Sequence, residues 1–105
     1  MSNRSKGNKA EHEYELIEQS KGRITYRVKG STMFNKNVDI FNIFDILSID
    51  SKTKEKFWIQ VKSNKKLYEP EKERLTGFKE KYFNESDKIV WANRKDYEGW
   101  EELII

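Results

Sequence analysis

The feature that most constrains this chain is a strand–helix–strand run between Phe57 and Ala92. The segment Phe57-Trp58-Ile59-Gln60-Val61-Lys62 is dense in aromatic and β-branched residues, the composition of a strand. Pro70 then stands where a helix tolerates proline, in its first turn. Leu75, Phe78 and Tyr82 recur at i, i+3 and i+7 with charges on the far side, which predicts a helix over 71–83 with Phe78 and Tyr82 turned to the core. Gly77 inside it costs about 1 kcal/mol relative to alanine, a cost that marks a candidate place of close packing. Lys88 to Ala92 reads as another strand. Two strands joined through a helix form a βαβ crossover, which makes them parallel neighbours.

The other elements follow from periodicity. Ala10, Tyr14 and Ile17 share one face of a helix over 10–20, and Gly22 follows where helices often stop. Arg23 to Val28 alternates, with Ile24, Tyr26 and Val28 on one face and Arg23, Thr25 and Arg27 on the other. A polar loop spans 29–37, and 38–49 holds at least one strand. A polar turn over 50–56 leads into Phe57–Lys62, antiparallel to the strand before it. A last strand spans 100–105. The expected fold class is α/β, a mixed central β-sheet flanked by helices in the order α-β-β-β-α-β-β. Residues 1–5 read as a loose tail and 6–105 as a single domain, consistent with the length of 105 residues.

Composition removes several functional classes. There is no cysteine, so neither a disulfide framework nor a thiolate zinc site can form, and the one histidine, His12, excludes a multi-histidine site within one chain. A bound metal must take oxygen ligands, which suits magnesium or manganese. No apolar run approaches the roughly 20 residues that span a membrane, and the polar, basic start from Met1 to Lys9 does not read as a signal peptide. A cytoplasmic, intracellular protein is expected. Lysine and arginine number 21 against 18 acids, for a net charge of +3, a mild pointer to a polyanionic partner.

The chemistry concentrates around Asp45 and the strand 57–62. Asp45 interrupts an apolar stretch in which Ile43, Leu47 and Ile49 fall on its face by alternation, and an ionised carboxylate among isoleucines is costly unless it is paired or binds a metal. Gln60 and Lys62 share a face of the next strand, and a hairpin brings Asp45 across from about Gln60. Glu11, at the edge of the first helix's apolar stripe, can reach the same place. Two acids and an amide oxygen can hold a hard divalent cation. Such a cation lowers the pKa of a bound water and polarises a phosphodiester, with Lys62 placed to orient that water or to stabilise charge on phosphate. Asp39 also precedes the strand and is an alternative ligand to Asp45.

In order and spacing these segments resemble the archaeal Holliday-junction resolvase family, within the PD-(D/E)XK nucleases. The matching runs are Lys6-Gly7-Asn8-Lys9-Ala10-Glu11, Tyr26-Arg27-Val28-Lys29-Gly30-Ser31, Phe44-Asp45-Ile46-Leu47, Ile59-Gln60-Val61-Lys62-Ser63-Asn64-Lys65-Lys66 and Gly99-Trp100. The resemblance implies a restriction-endonuclease-like core. It implies a metal site of Glu11, Asp45, Gln60 and the Val61 carbonyl, with Glu11, Asp45, Gln60 and Lys62 as catalytic residues. DNA contacts would come from Arg27, Lys29, Ser31, Lys65 and Lys66. The family acts as a homodimer, and Phe83, one step off the helix stripe, is the candidate interface residue. One departure is plain: Gln60 stands where the family usually has glutamate.

The expected activity is a metal-dependent endonuclease on branched DNA, cutting opposed strands of a four-way junction by attack of a metal-activated water, in recombination or repair of archaeal or viral DNA. Flap-, duplex- or restriction-directed cleavage and a catalytically silent DNA-binding protein remain as alternatives, the last motivated by Gln60.

Overall fold

The computed structural model describes residues 3–28, 39–41 and 43–105, with the side chains of residues 3–8 outside that description. Helix α1 (Asn3–Ser20) leads through Gly22, in the left-handed region at φ 81°, into strand β1 (Arg23–Arg27). Strands β2 (Ile46–Asp50) and β3 (Lys56–Ser63) follow, then helix α2 (Glu69–Tyr82) and strands β4 (Asp87–Lys95) and β5 (Gly99–Ile104). The five strands lie side by side in sequence order. β3 and β4 are parallel, as the crossover requires, and the other three pairs are antiparallel. The expected α/β architecture and element order are those observed.

The sheet has an apolar core on each side. Under α1, Tyr14 packs with Ile46, Phe57, Ile59, Val90 and Ala92. Under α2, Phe44, Leu75 and Ile89 pack with Trp58, Phe78 and Phe83. These are alternate residues of the same strands, which the pleat sends to opposite faces. Asp87 accepts the indole N–H of Trp58 at 3.0 Å and so anchors the α2 side.

Several expectations are corrected. α1 begins at Asn3 and not Ala10. The apolar stripe starts only at Ala10, so periodicity gives no signal for the turns before it. β1 is inverted relative to ordinary amphipathicity: Ile24 and Tyr26 are 71% and 65% exposed. Its polar face turns to α1, where Thr25 donates to Glu15 (3.0 Å) and Arg23 to Glu18 (2.7 Å). On α2, Tyr82 is exposed rather than in the core. Phe83, expected to face outward, turns in and stacks on Trp58 with ring centroids 4.9 Å apart. The chain leaves the helix at Phe83, whose extended backbone redirects the side chain. Gly77 does not mark close packing, since a Cβ there would meet nothing within 4 Å.

Candidate metal and DNA site

Beyond Ile59, β3 has no partner in β2: the ladder runs from Ile49 opposite Lys56 to Ile46 opposite Ile59 and ends. Asp45 marks the break. Its N–H donates to the Ile59 carbonyl at 2.8 Å, although Ile59 is registered with Ile46. Two residues thus face one, the arrangement of a β-bulge, which bends a strand and re-aims a side chain. Asp45 Oδ2 accepts the N–H of Val61 at 2.7 Å. The N–H and C=O of one strand residue point to the same side, so the Val61 carbonyl faces the same gap as Asp45.

A tight turn brings a second carboxylate to this gap. Ile40 and Phe44 form an antiparallel bridge, with the Ile40 N–H donating to the Phe44 carbonyl at 2.8 Å. Asp39 and Asp45 flank the bridge and therefore lie opposite each other, close enough to share a hydrogen bond between their carboxyls. Sequence offered the two as alternatives; the turn sets them together. Glu11 approaches from α1. Burial raises its pKa from 4.5 to about 7, with the Arg27 guanidinium opposing and the Asp39 charge adding. Burial also lifts Asp45 well above the usual carboxylate range; the Val61 N–H opposes this, and the charges of Glu11 and Asp39 add to it. Carboxylates crowded in a half-dry place are held against their own repulsion, and such places are where a cation is stabilising.

The bulge also changes the expected face of Asp45. Leu47 and Ile49 line a cleft beside α2 with Trp58 and Phe78, whereas Asp45 meets Glu11 on the α1 side. The Val61 side chain packs into the α1-side core, so Gln60 and Lys62 take the other face by alternation. Gln60 is only 6% exposed, and its Oε1 has no donor. Lys62 is half-buried and makes no ion pair with a described carboxylate. The fold therefore gathers Glu11, Asp39, Asp45 and the Val61 backbone around one gap, with Arg27 beside them, while Gln60 and Lys62 sit on the strand that borders it.

These groups fit a hard divalent cation. Carboxylates, a backbone carbonyl and an unpartnered amide oxygen are the donors magnesium or manganese takes. Among the described residues, no three acidic or imidazole side chains already converge as a ready metal-binding group. Any donor set at the gap thus depends on the Val61 carbonyl as well as on acids, since the Gln60 side chain takes the opposite face of β3. Glu11 in its protonated form would bind no cation, so occupancy requires the proton to leave.

The basic residues are spread along one end of the sheet. Arg27 ends β1 and lies 3.7 Å from Glu15. Lys65 and Lys66 are exposed just past β3. Lys29 and Ser31 lie outside the described residues. Sequence did not single out Asn93, which is fully buried. Its amide accepts the Lys65 N–H at 3.0 Å and donates to the Lys65 carbonyl at 2.8 Å, fixing the start of the basic loop. The available signal was an asparagine following the buried run Ile89–Ala92. Gly99 and Trp100 have structural roles here: Gly99 takes φ 87° at the β4–β5 turn, and Trp100 donates to Glu13 at 3.1 Å and packs on Tyr14.

No family model matches the chain, and no curated protein matches it. Among solved structures, the Holliday junction resolvase of the archaeal hyperthermophile Archaeoglobus fulgidus superposes with a TM-score of 0.61 at 21% sequence identity, over 92% of this chain and 75% of that one. The chain shares the fold of an archaeal Holliday junction resolvase. That places the bulge at Asp45, the end of the β2–β3 ladder and the N-terminal helix bearing Glu11 within a fold of that kind. At this identity the likeness concerns the fold alone; a site must be argued from its own residues.

Proposed function

We propose that this chain is a metal-dependent endonuclease acting on branched DNA, most directly on four-way junctions. The observation that carries the reading is the crowding of Glu11, Asp39 and Asp45 at the open edge of β3, within a resolvase fold. The bound cation, magnesium or manganese, would activate water and neutralise charge on the scissile phosphate. Asp45 and Glu11 would hold it through carboxylate oxygens with the Val61 carbonyl, and Gln60 would join them only by bringing its Oε1 round from the opposite face of β3. Lys62, not consumed by a described ion pair, would reach round the end of β3 from the opposite face to orient the attacking water or meet charge developing on phosphate. Arg27, Lys65 and Lys66, with Lys29 and Ser31 from outside the described residues, contact the DNA backbone, so affinity falls steeply with salt.

Symmetric cleavage of two opposed strands calls for two active sites, and the proposed unit is a homodimer. Ile24, Tyr26, Phe41 and Tyr82 are all exposed; Phe41 and Tyr82 line the apolar cleft beside α2, and Ile24 and Tyr26 pair with its Ile49 and Leu47. A contiguous apolar area of this kind on a small domain is a candidate for burial between copies. Phe83 contributes as a wall of that cleft rather than as a protruding contact.

The test is cleavage of a labelled immobile four-way junction, with flap and duplex controls, in magnesium or manganese, beside Lys62→Ala and Asp45→Asn. Paired nicks in the junction that both substitutions abolish are expected. Cleavage of flaps or duplex alone would sink the junction claim and keep the nuclease. A second reading, a silent DNA-binding protein, is favoured by the neutral Gln60. Tight binding without cleavage in either metal would establish it, and Gln60→Glu, which restores a third charge to the donor set, would then be expected to recover nicking.

A further inference from the structure

A second cleft, of about 500 Å³, opens between the loop after β3 and the β4–β5 hairpin. That volume is in the range of small-ligand sites. Its rim carries Lys65, Lys66 and Lys95, and its walls are Leu67, Trp91 and Leu103. Among the described residues, Lys95 alone of the three has an acidic partner, Glu101 at 3.4 Å. Trp91 is 1% exposed, and its Nε1–H has no acceptor. The other two indoles are satisfied, Trp58 by Asp87 and Trp100 by Glu13. A buried donor left without an acceptor is costly, and each such group calls for an explanation.

Register places this cleft beside Gln60 and Lys62. Gln60 pairs with Trp91, and Lys62 with Asn93, across the parallel β3–β4 ladder. Trp91 and Asn93 pair in turn with Leu103 and Glu101 on β5. Directly paired residues share a sheet face, and neighbouring strands are about 4.8 Å apart. The walls thus begin one strand away from Gln60, on its face. Asn93 pins the Lys65 backbone, so one rim is fixed while the long lysine side chains can move.

We propose that this cleft binds one unstacked nucleotide of the DNA strand being processed, with the base between Leu67, Trp91 and Leu103 and the phosphate on Lys65 and Lys66. The proposal rests on the DNA-binding reading above. An acceptor on the base edge meets the Trp91 Nε1–H once the rim side chains move aside. Glu101 at the far wall keeps phosphate to the Lys65–Lys66 side and can accept from an exocyclic amino group. Extruding a base costs least where pairing is already interrupted, as at a branch point, so the cleft would favour distorted DNA over continuous duplex.

The experiment is a titration of the full ¹⁵N-labelled chain without divalent metal, following its three indole N–H signals by NMR, with Trp91→Phe used only to assign the Trp91 signal. Thymidine and deoxyguanosine monophosphates are compared with deoxyribose 5-phosphate and inorganic phosphate at constant ionic strength. Expected is a saturable shift of the Trp91 signal with at least one nucleotide, little change at Trp58 and Trp100, and about tenfold weaker binding in Lys65→Ala/Lys66→Ala. A static Trp91 signal overturns the proposal. So does an equal shift with deoxyribose phosphate or phosphate, which would mean an adventitious ion only. Because no metal or cleavage enters the readout, the two claims fail separately. Junction cutting with a silent Trp91 removes the cleft alone, and a responding Trp91 in a chain that cuts nothing removes the nuclease alone.

Discussion

Glu18 is the clearest case of a residue whose role lies in its surroundings. It is 1% exposed on α1, and its two oxygens take Arg23 at 2.7 Å and Lys21 at 3.0 Å. Arg23 in turn lies over the Phe57 ring, 3.9 Å from its centroid, so the ion cluster seals the core at the end of the sheet away from the bulge. Removing one partner of a buried pair leaves the other charge uncompensated, which costs more than the pair itself contributes. Glu18→Ala is expected to destabilise the fold by about 3 kcal/mol, measured as a lowered urea midpoint with an unchanged slope. In the sequence Glu18 is one acid among 18, and nothing local separates it from the exposed ones. Asp45 differs: its apolar neighbours in the sequence already made it conspicuous.

At the scale of elements, α2 meets the sheet mainly through Leu75, Phe78 and the Phe83 that follows it. The rest of its surface is solvated, Gly77 included. With no neighbour within 4 Å of a Cβ there, the glycine confers only chain entropy in the unfolded state. Gly77→Ala is expected to stabilise the protein by about 1 kcal/mol, read as a higher thermal midpoint with DNA affinity unaltered. β1 teaches the opposite lesson. Its alternation was legible, but which face is inward was not, because Glu15, Glu18 and Gln19 of α1 supply partners for Arg23, Thr25 and Arg27. A polar strand face can be the inner one when the helix above it is polar at matching positions.

For the whole molecule, the acidic gap couples stability to pH and to metal. In the unfolded chain Glu11 and Asp45 lose their protons near their ordinary values of 4.5 and 3.8; folded, burial and mutual repulsion hold those protons to higher pH, about 7 for Glu11. The folded state therefore binds more protons across this window, and its stability falls as pH rises from about 4 through 7. Without metal, the thermal midpoint is expected to decline over that range, and Asp45→Asn to flatten the decline. Magnesium or manganese, replacing protons as the source of positive charge, is expected to raise the midpoint more at pH 8 than at pH 5. A midpoint that rises with pH in the metal-free wild type would show that the carboxylates are not crowded in solution.

Local chemistry by itself determined the strand–helix–strand crossover, the stop at Gly22, the element order and the short roster of Glu11, Asp39, Asp45, Gln60 and Lys62. Each of these is written in periodicity, in backbone preference, or in a charge placed where apolar residues surround it. Tertiary structure decided the rest. A bulge that sets Asp45 and Ile46 against Ile59 turns the carboxylate toward α1 and opens the edge of β3. A turn closed by Ile40 and Phe44 brings Asp39 to Asp45. The sheet register carries Gln60 to Trp91, on the face opposite the acidic gap. No window of sequence contains these relations, because each depends on hydrogen bonds between segments whose separation along the chain says nothing of their distance in space.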